Sequence, residues 1–409
     1  MGCADGDREV SLSISEQVQK LGSGPLSEEA LREHIWPLFS RVRQREEIYL
    51  ANHSLGRPLD QMVEDVNEAA SLWYEHLDDA WGPWMDEIGR FRSQVARLLG
   101  HPDSSLIAPK TSAGQGLRAV LNTFEHRCRV ISTRAEFDSL DFILKTYQVK
   151  KRAEITWIDA EEGGLFHADS ILSALDAEAD LLVVSQVVFG TGQIIPQLQT
   201  IIKKAHSNGM LVLVDAYHAA GVIPIQMVEL DADFMIGGSY KYTRGGPGAC
   251  WLAIHPRHAE RRTLDTGWFA KKNPFGYDRS DTPEFGDAWL ESTPPVLTMY
   301  QAKSGLELTL GIGVERQREY SLRQLEFLRA SLRAHGVPVV VPDDPSQFGA
   351  FVLVESGDSA AYCGRLKQNG VNVDSRGRYA RFGPDLLNSR DELEQAAEIA
   401  GKVLAQDRE

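Results

Sequence analysis

Cysteine is scarce in this chain: four in 409 residues, at Cys3, Cys128, Cys250 and Cys363, with no C-x-x-C pair. That scatter excludes a disulfide framework and a cysteine-built zinc site, and it points to a reducing compartment. Long apolar runs are missing too. None approaches the roughly 18 residues of a bilayer-spanning helix, so no membrane partner is expected. The opening MGCADGDREV has neither the basic nor the apolar stretch of a secretory signal, and Gly6 stands where a myristoylation signal needs Ser or Thr. A cytoplasmic protein is the expectation. Positive charge is also short, 43 Lys and Arg against 58 Asp and Glu, for a net charge of −15. A general polyanion binder seldom carries that balance, so nucleic acid is not an expected partner. Internal repeats and low-complexity segments are absent.

What is present is ordinary globular composition, 43% hydrophobic and 25% charged. The length suits roughly two or three domains, or one large α/β domain with an appendage. Residues 1–25 are polar, rich in Gly and Ser, and read as flexible. Residues 26–44 read as a helix capped by Ser27, with Glu28 and Glu29 in its first turn, packing with a small domain. From residue 105 short apolar runs at 129–133, 154–159, 181–189, 211–215, 233–237 and 249–254 alternate with helical patterns. That alternation predicts a mainly parallel, doubly wound sheet covered on both faces, with an antiparallel excursion between the last two strands. The large domain is expected over 45–295. A small α+β domain is expected over 296–409, beginning with a helical stretch to 334.

The chemistry gathers around GGSYKYTRGGPG, which sets Lys241 between two tyrosines ahead of a glycine-rich turn. About two dozen residues upstream, LVLVDAYHAAG ends an apolar strand on Asp215. Taken separately, Lys241 reads as a surface charge, Asp215 as a helix cap and His218 as a structural histidine. Taken together they fit a lysine that carries pyridoxal phosphate. That cofactor's ring nitrogen stays protonated only beside a buried carboxylate, and in open α/β sheets ligands sit at the carboxyl ends of strands. Its phosphate needs backbone N–H groups at a helix start plus hydroxyls, which Thr111 and Ser112 in KTSAGQGLRAVL supply. Phe137, just past a strand end, offers a flat face for the ring.

These elements, with TGWFAKKNPF, STPPV and ARFGPDLLNS, resemble kynureninases and the surrounding class V group of fold type I pyridoxal-phosphate enzymes. The resemblance covers most of the chain beyond residue 48. It rests on Asp-x-x-His at Asp215 and His218, Tyr-Lys at Tyr240 and Lys241, and Gly-Trp-Phe at Gly267 to Phe269, followed by Pro-Pro. It implies that Lys241 forms the Schiff base with pyridoxal 5′-phosphate and that Asp215 pairs with the ring nitrogen. His218 is implied to lie by the ring hydroxyl and substrate, and Phe137 to stack on the ring. Thr111, Ser112, Ser185 and Tyr240 are implied to line the cofactor. Trp268 and Thr293 would reach it from the partner subunit of a homodimer, and Arg381 would clamp the α-carboxylate of an amino-acid substrate.

The chain also departs from kynureninases. Gly190 replaces a tyrosine, Thr293 an asparagine, and Leu140 an aspartate, with Asp141 one place off. The aromatic-rich segment around Trp84 does not match cleanly either. The expected activity is therefore kynureninase-like hydrolytic or eliminative cleavage of an amino-acid side chain, on a substrate other than kynurenine. The alternatives are a class V aminotransferase or Cβ-lyase, and a non-catalytic cofactor-binding protein. Cys363 lies inside a helical pattern with no basic neighbour, which argues against a desulfurase nucleophile.

Overall fold

The computed structural model describes residues 12–406 except 177, 284 and 341–343. The expected flexibility of residues 1–11 lies outside the described residues. Seven strands form one sheet: β1 (Ile107–Lys110), β2 (Cys128–Thr133), β3 (Ala153–Ile158), β4 (Leu181–Ser185), β5 (Leu211–Asp215), β6 (Phe234–Gly238) and β7 (Cys250–Ile254). Their spatial order is β1-β7-β6-β5-β4-β2-β3. Only β7 runs antiparallel, to β6 on one side and to β1 on the other. The antiparallel excursion is this one inserted strand. Strands β1 to β6 therefore end along the same edge of the sheet, and β7 begins there.

Alternate residues of each strand enter opposite cores. In β4, Leu181 and Val183 pack with Leu117 and Val120 of helix Ala113–Leu121 and with Leu140 and Leu144 of helix Asp138–Val149. Leu182 and Val184 face the other way, toward Phe91 and Val95 of helix Trp81–Leu98 and Ile201 and Ile202 of helix Leu198–Ser207. A strand buried on both faces needs apolar residues at every position, which is why these runs are continuous. Each such side chain contributes about 1.5–3 kcal/mol on burial.

Several expected boundaries shift. The run 181–189 leaves the sheet at Ser185, because Val187 bridges Ile194 in a local excursion. Strand β1 was not expected, since IAPK is too short and proline-marked to stand out as an apolar run. Residues 26–44 form broken helical turns rather than one helix, with Pro37 in the break, although Ser27 does cap the first turn at Ala30 N. Within the expected flexible start, Ile14–Lys20 is helical, capped by Ser13, because Ile14 is buried against Leu308 and Ile312. The stretch 296–334 is two helices, Val296–Ile312 and Val314–Ala334, separated at Gly313 (φ 89°, ψ 136°), a conformation that favours glycine. The first buries Met299, Ala302 and Leu306 in the core of the seven-stranded sheet.

The second helix packs on a four-stranded antiparallel sheet built from β8 (Val339–Val340), β9 (Val352–Glu355), β10 (Asp374–Arg376) and β11 (Tyr379–Phe382), in the order β10-β11-β9-β8. Ile48 and Leu50 join that core, and Ile48–Tyr49 pairs with Val371–Asn372, although residues 48–50 were expected with the larger unit. This return of the chain start to its end places residues 51–57 over the active edge of the large sheet. There the Gly56 N–H donates to the Tyr240 carbonyl at 2.9 Å.

Candidate active site

A cavity of about 230 Å³ lies at the edge where the parallel strands end. Lys110 ends β1, and Thr111 and Ser112 follow it. Thr133 ends β2, shortly before Phe137. Ser185 and Asp215 are the last residues of β4 and β5, and Tyr240 and Lys241 follow β6. Thr111, Ser112, Phe137, Ser185, Asp215, His218, Tyr240 and Lys241 all line this one cavity. At the helix start, Ser112 is the N-cap of Ala113–Leu121, accepting from Gln115 N at 3.1 Å, and Thr111 bonds Gln115 Oε1. The first backbone N–H groups and two hydroxyls thus stand where an anionic group would sit.

Lys241 is nearly buried, at 6% exposure. Desolvation lowers its pKa to about 7, against the pull of Asp215 and with help from Arg381. An ordinary lysine is almost wholly protonated at pH 7, whereas here much of the amine is neutral and nucleophilic. Its Nζ bonds His218 Nε2, and burial and the lysine charge keep His218 neutral, well below its usual pKa. The ammonium lies 5.6 Å from the ring centre of Phe137 and 5.6 Å from that of Tyr240. Asp215 accepts from Tyr217 N at 2.8 Å, and burial raises its pKa to about 6. A carboxylate held in so dry a place gains most from a cationic partner such as a pyridinium.

The Aminotransferase class-V family matches residues 59–381, well over half of the chain. The chain belongs to the class V aminotransferase family. Its cofactor is pyridoxal 5′-phosphate, and the residues fit it: an amine to bind the aldehyde, a buried carboxylate for the ring nitrogen, and a helix start with two hydroxyls for the phosphate. The chain is similar to the kynureninase of Bacillus thuringiensis subsp. konkukian, 27% identical over 381 residues, covering 87% of this chain and 88% of that one. The kynureninase of Geobacillus thermodenitrificans is 26% identical at the same coverage. Among solved structures, the apo cysteine desulfurase of Thermococcus onnurineus NA1 has a TM-score of 0.78 at 17% identity, covering 90% of this chain and 98% of that chain. The cystine C-S lyase C-DES, complexed with cysteine persulfide, has a TM-score of 0.78 at 17% identity, over 87% and 97% of the two chains. These structures share the fold type I architecture.

In this class V chain four expected site residues lie outside the cavity. Trp268 packs with Phe269, Phe275 and Tyr277, and Thr293 is exposed. Gly190 is half-buried, and a Cβ there would meet nothing within 4 Å, so the replaced tyrosine leaves open space. Arg381 is buried in β11, bonded to Asp374, and does not itself line the cavity. Neither residue at the aspartate departure lines the cavity. Leu140 faces the core, and Asp141 pairs with Lys145 on the outer side of its helix at 2.7 Å. No helix among the described residues is long and apolar enough to cross a membrane. Cys363 is buried in the small core, where burial pushes its thiol up to about 12.

The sequence reading missed Glu136. It accepts from Thr133 Oγ1 and from Ser185 Oγ, both at 2.6 Å, and from Ser185 N at 3.2 Å. Burial raises its pKa to about 7, against those hydrogen bonds and with a push from Asp215. The Ser185 hydroxyl proton is thereby committed, leaving its oxygen free to accept in the cavity. A charged residue directly before the expected stacking Phe137 was the available signal. It did not stand out, because a lone glutamate after a strand usually faces solvent.

Proposed function

We propose that this chain is a pyridoxal-phosphate enzyme that cleaves the Cβ–Cγ bond of an α-amino acid by hydrolysis or elimination, on a substrate other than kynurenine. The observation that carries this reading is the buried amine of Lys241, set between Asp215 and neutral His218 in one cavity. When bound, the cofactor supplies an electron sink for the bonds broken next to the substrate's Cα. Lys241 Nζ, freed by the substrate's amine, takes the Cα proton, and a pKa of about 7 suits it to both take and return one near neutrality. Asp215 keeps the ring-nitrogen proton in place. His218, as a neutral acceptor, orients Nζ, while Tyr240 or a water returns a proton to the departing side chain. Arg381 clamps the α-carboxylate.

The kynureninase relatives support side-chain cleavage, and the open space at Gly190 supports a differently shaped substrate. We place Trp268 and Thr293 in the site of the second subunit, so that a cytoplasmic homodimer is the active unit. The test is product analysis over a panel of γ-keto and related amino acids. Alanine formed in step with substrate consumed is expected. A keto acid, with the amine retained by the protein, would mean transamination instead. Kynurenine turnover matching the best alternative would overturn the substrate assignment.

A further inference from the structure

The guanidinium of Arg381 is already engaged within the chain. Its Nε donates to Asp374 Oδ1 at 2.8 Å, and Nη2 donates to Oδ2 of the same carboxylate. Nη2 also reaches Ser54 Oγ at 3.3 Å, and Nη1 donates to the Phe189 carbonyl. Asp374 is held in turn, with His53 Nε2 at 2.8 Å from Oδ1 and the Ser54 hydroxyl bonded to Oδ2. His53 is fully buried. Burial first, then the Arg381 charge, lowers its pKa to about 4, so the neutral ring donates its Nε2–H to the carboxylate. Gly383 makes room for that ring, since a Cβ there would stand 2.3 Å from His53 Nδ1.

An arginine can grip a carboxylate in a two-bond fork along its Nε/Nη2 edge or along its Nη1/Nη2 edge. Asp374 takes the first. The second points to Phe189, part of the cavity wall, and carries the longest of the four contacts, that to Ser54. Phe351 links the clamp to the site, its ring 5.2 Å from the guanidinium and 6.2 Å from the ring of His218. An incoming carboxylate has this edge to meet, displacing Ser54 Oγ and sharing Nη1.

We propose that Asp374, supported by His53 and Ser54, is the positioning residue that presents the Nη1/Nη2 edge of Arg381 to the substrate carboxylate. Asp374 touches neither cofactor nor substrate. It fixes the plane of the guanidinium and keeps the wrong edge occupied. The inference rests on reading Arg381 as the carboxylate clamp.

The test titrates the cofactor-loaded protein with L-alanine and with ethylamine, which is alanine without its carboxylate, following the cofactor's absorbance. A charged fork is worth on the order of ten- to a hundredfold in affinity, so the native protein is expected to favour L-alanine by that margin. Asp374→Asn keeps one acceptor but turns a donor against the arginine. Its preference for L-alanine is expected to fall about tenfold, with ethylamine affinity unchanged. The milder His53→Gln leaves the carboxylate in place and is expected to lower the preference about threefold, which keeps the test open if the first variant does not fold. Equal weakening of both amines, or an unchanged preference, would overturn the positioning role. Arg381→Ala separates the two claims. If it leaves the preference intact, the clamp reading itself fails. If it abolishes the preference while Asp374→Asn does not, only the role of Asp374 fails.

Discussion

At the scale of single residues, two ionisable groups carry the proposed chemistry. Lys241 must be neutral to attack an aldehyde, and burial places that change at about pH 7 rather than near the ordinary lysine value. Because the depressed pKa means protonation as pH falls, reloading of cofactor-free protein should slow about tenfold per unit below pH 7 and level off above it. Stopped-flow absorbance checks this, and a rate still climbing at pH 9 would contradict it. Borohydride reduction of the loaded protein should then place the adduct on Lys241 by mass spectrometry. Asp215→Asn keeps the shape but removes the charge proposed to hold the ring-nitrogen proton. Turnover should fall on the order of a thousandfold with the fold intact by circular dichroism. Near-native turnover would exclude Asp215 from that role.

At the scale of elements, the lysine is held by what surrounds its loop. Residues 51–57 cross over the turn after β6, where a Cβ on Gly56 would stand 1.9 Å from the Lys241 carbonyl oxygen. Backbone cannot yield as a flexible side-chain tip can, so Gly56→Ala must move the segment or the lysine. It should lower the melting temperature by several degrees and weaken cofactor retention, both measurable by thermal denaturation with and without cofactor. Retention unchanged at a lowered melting temperature would show that the segment is scaffolding only. The helix that starts at Ala113 has a similar tie behind it. Gln115 bonds Thr111 and Glu291, and Glu291 bonds buried Lys110 at 3.1 Å. The segment before Thr293 is thereby fastened to the start of that helix.

At the scale of the whole molecule, Trp268 and Thr293 lie outside their own chain's cavity, and the shared-site homodimer proposed above would give them a use. Trp268→Ala and Lys241→Ala proteins should each be nearly inactive. Unfolded together and refolded, they should recover roughly a quarter of native activity, since half of the dimers are mixed and each mixed dimer has one intact site. No recovery, with mixed dimers demonstrated by mass, would confine each site to one chain.

Six of the seven strands of the large sheet were legible because strands buried on both faces write continuous apolar runs, and helices between them write a 3.6-residue period. Asp215 and Lys241 were legible for a related reason: one ends such a strand and the other follows one, whereas the Thr111–Ser112 turn was read from the helix start behind it and Ser185 from the resemblance alone. What the sequence could not decide was anything made by two distant segments meeting. The pairing of residues 48–50 with the C-terminal unit, the bond of Glu136 to Ser185, and the grip of Asp374 on Arg381 depend on contacts that leave no local period. A carboxylate's place beside a buried cation is chosen by packing and desolvation in three dimensions, and a neighbouring sequence pattern does not record it. Local chemistry and strand order therefore determined which residues reach the cavity. Tertiary structure alone decided how far burial lowers the pKa of Lys241 and which edge of Arg381 is occupied by Asp374.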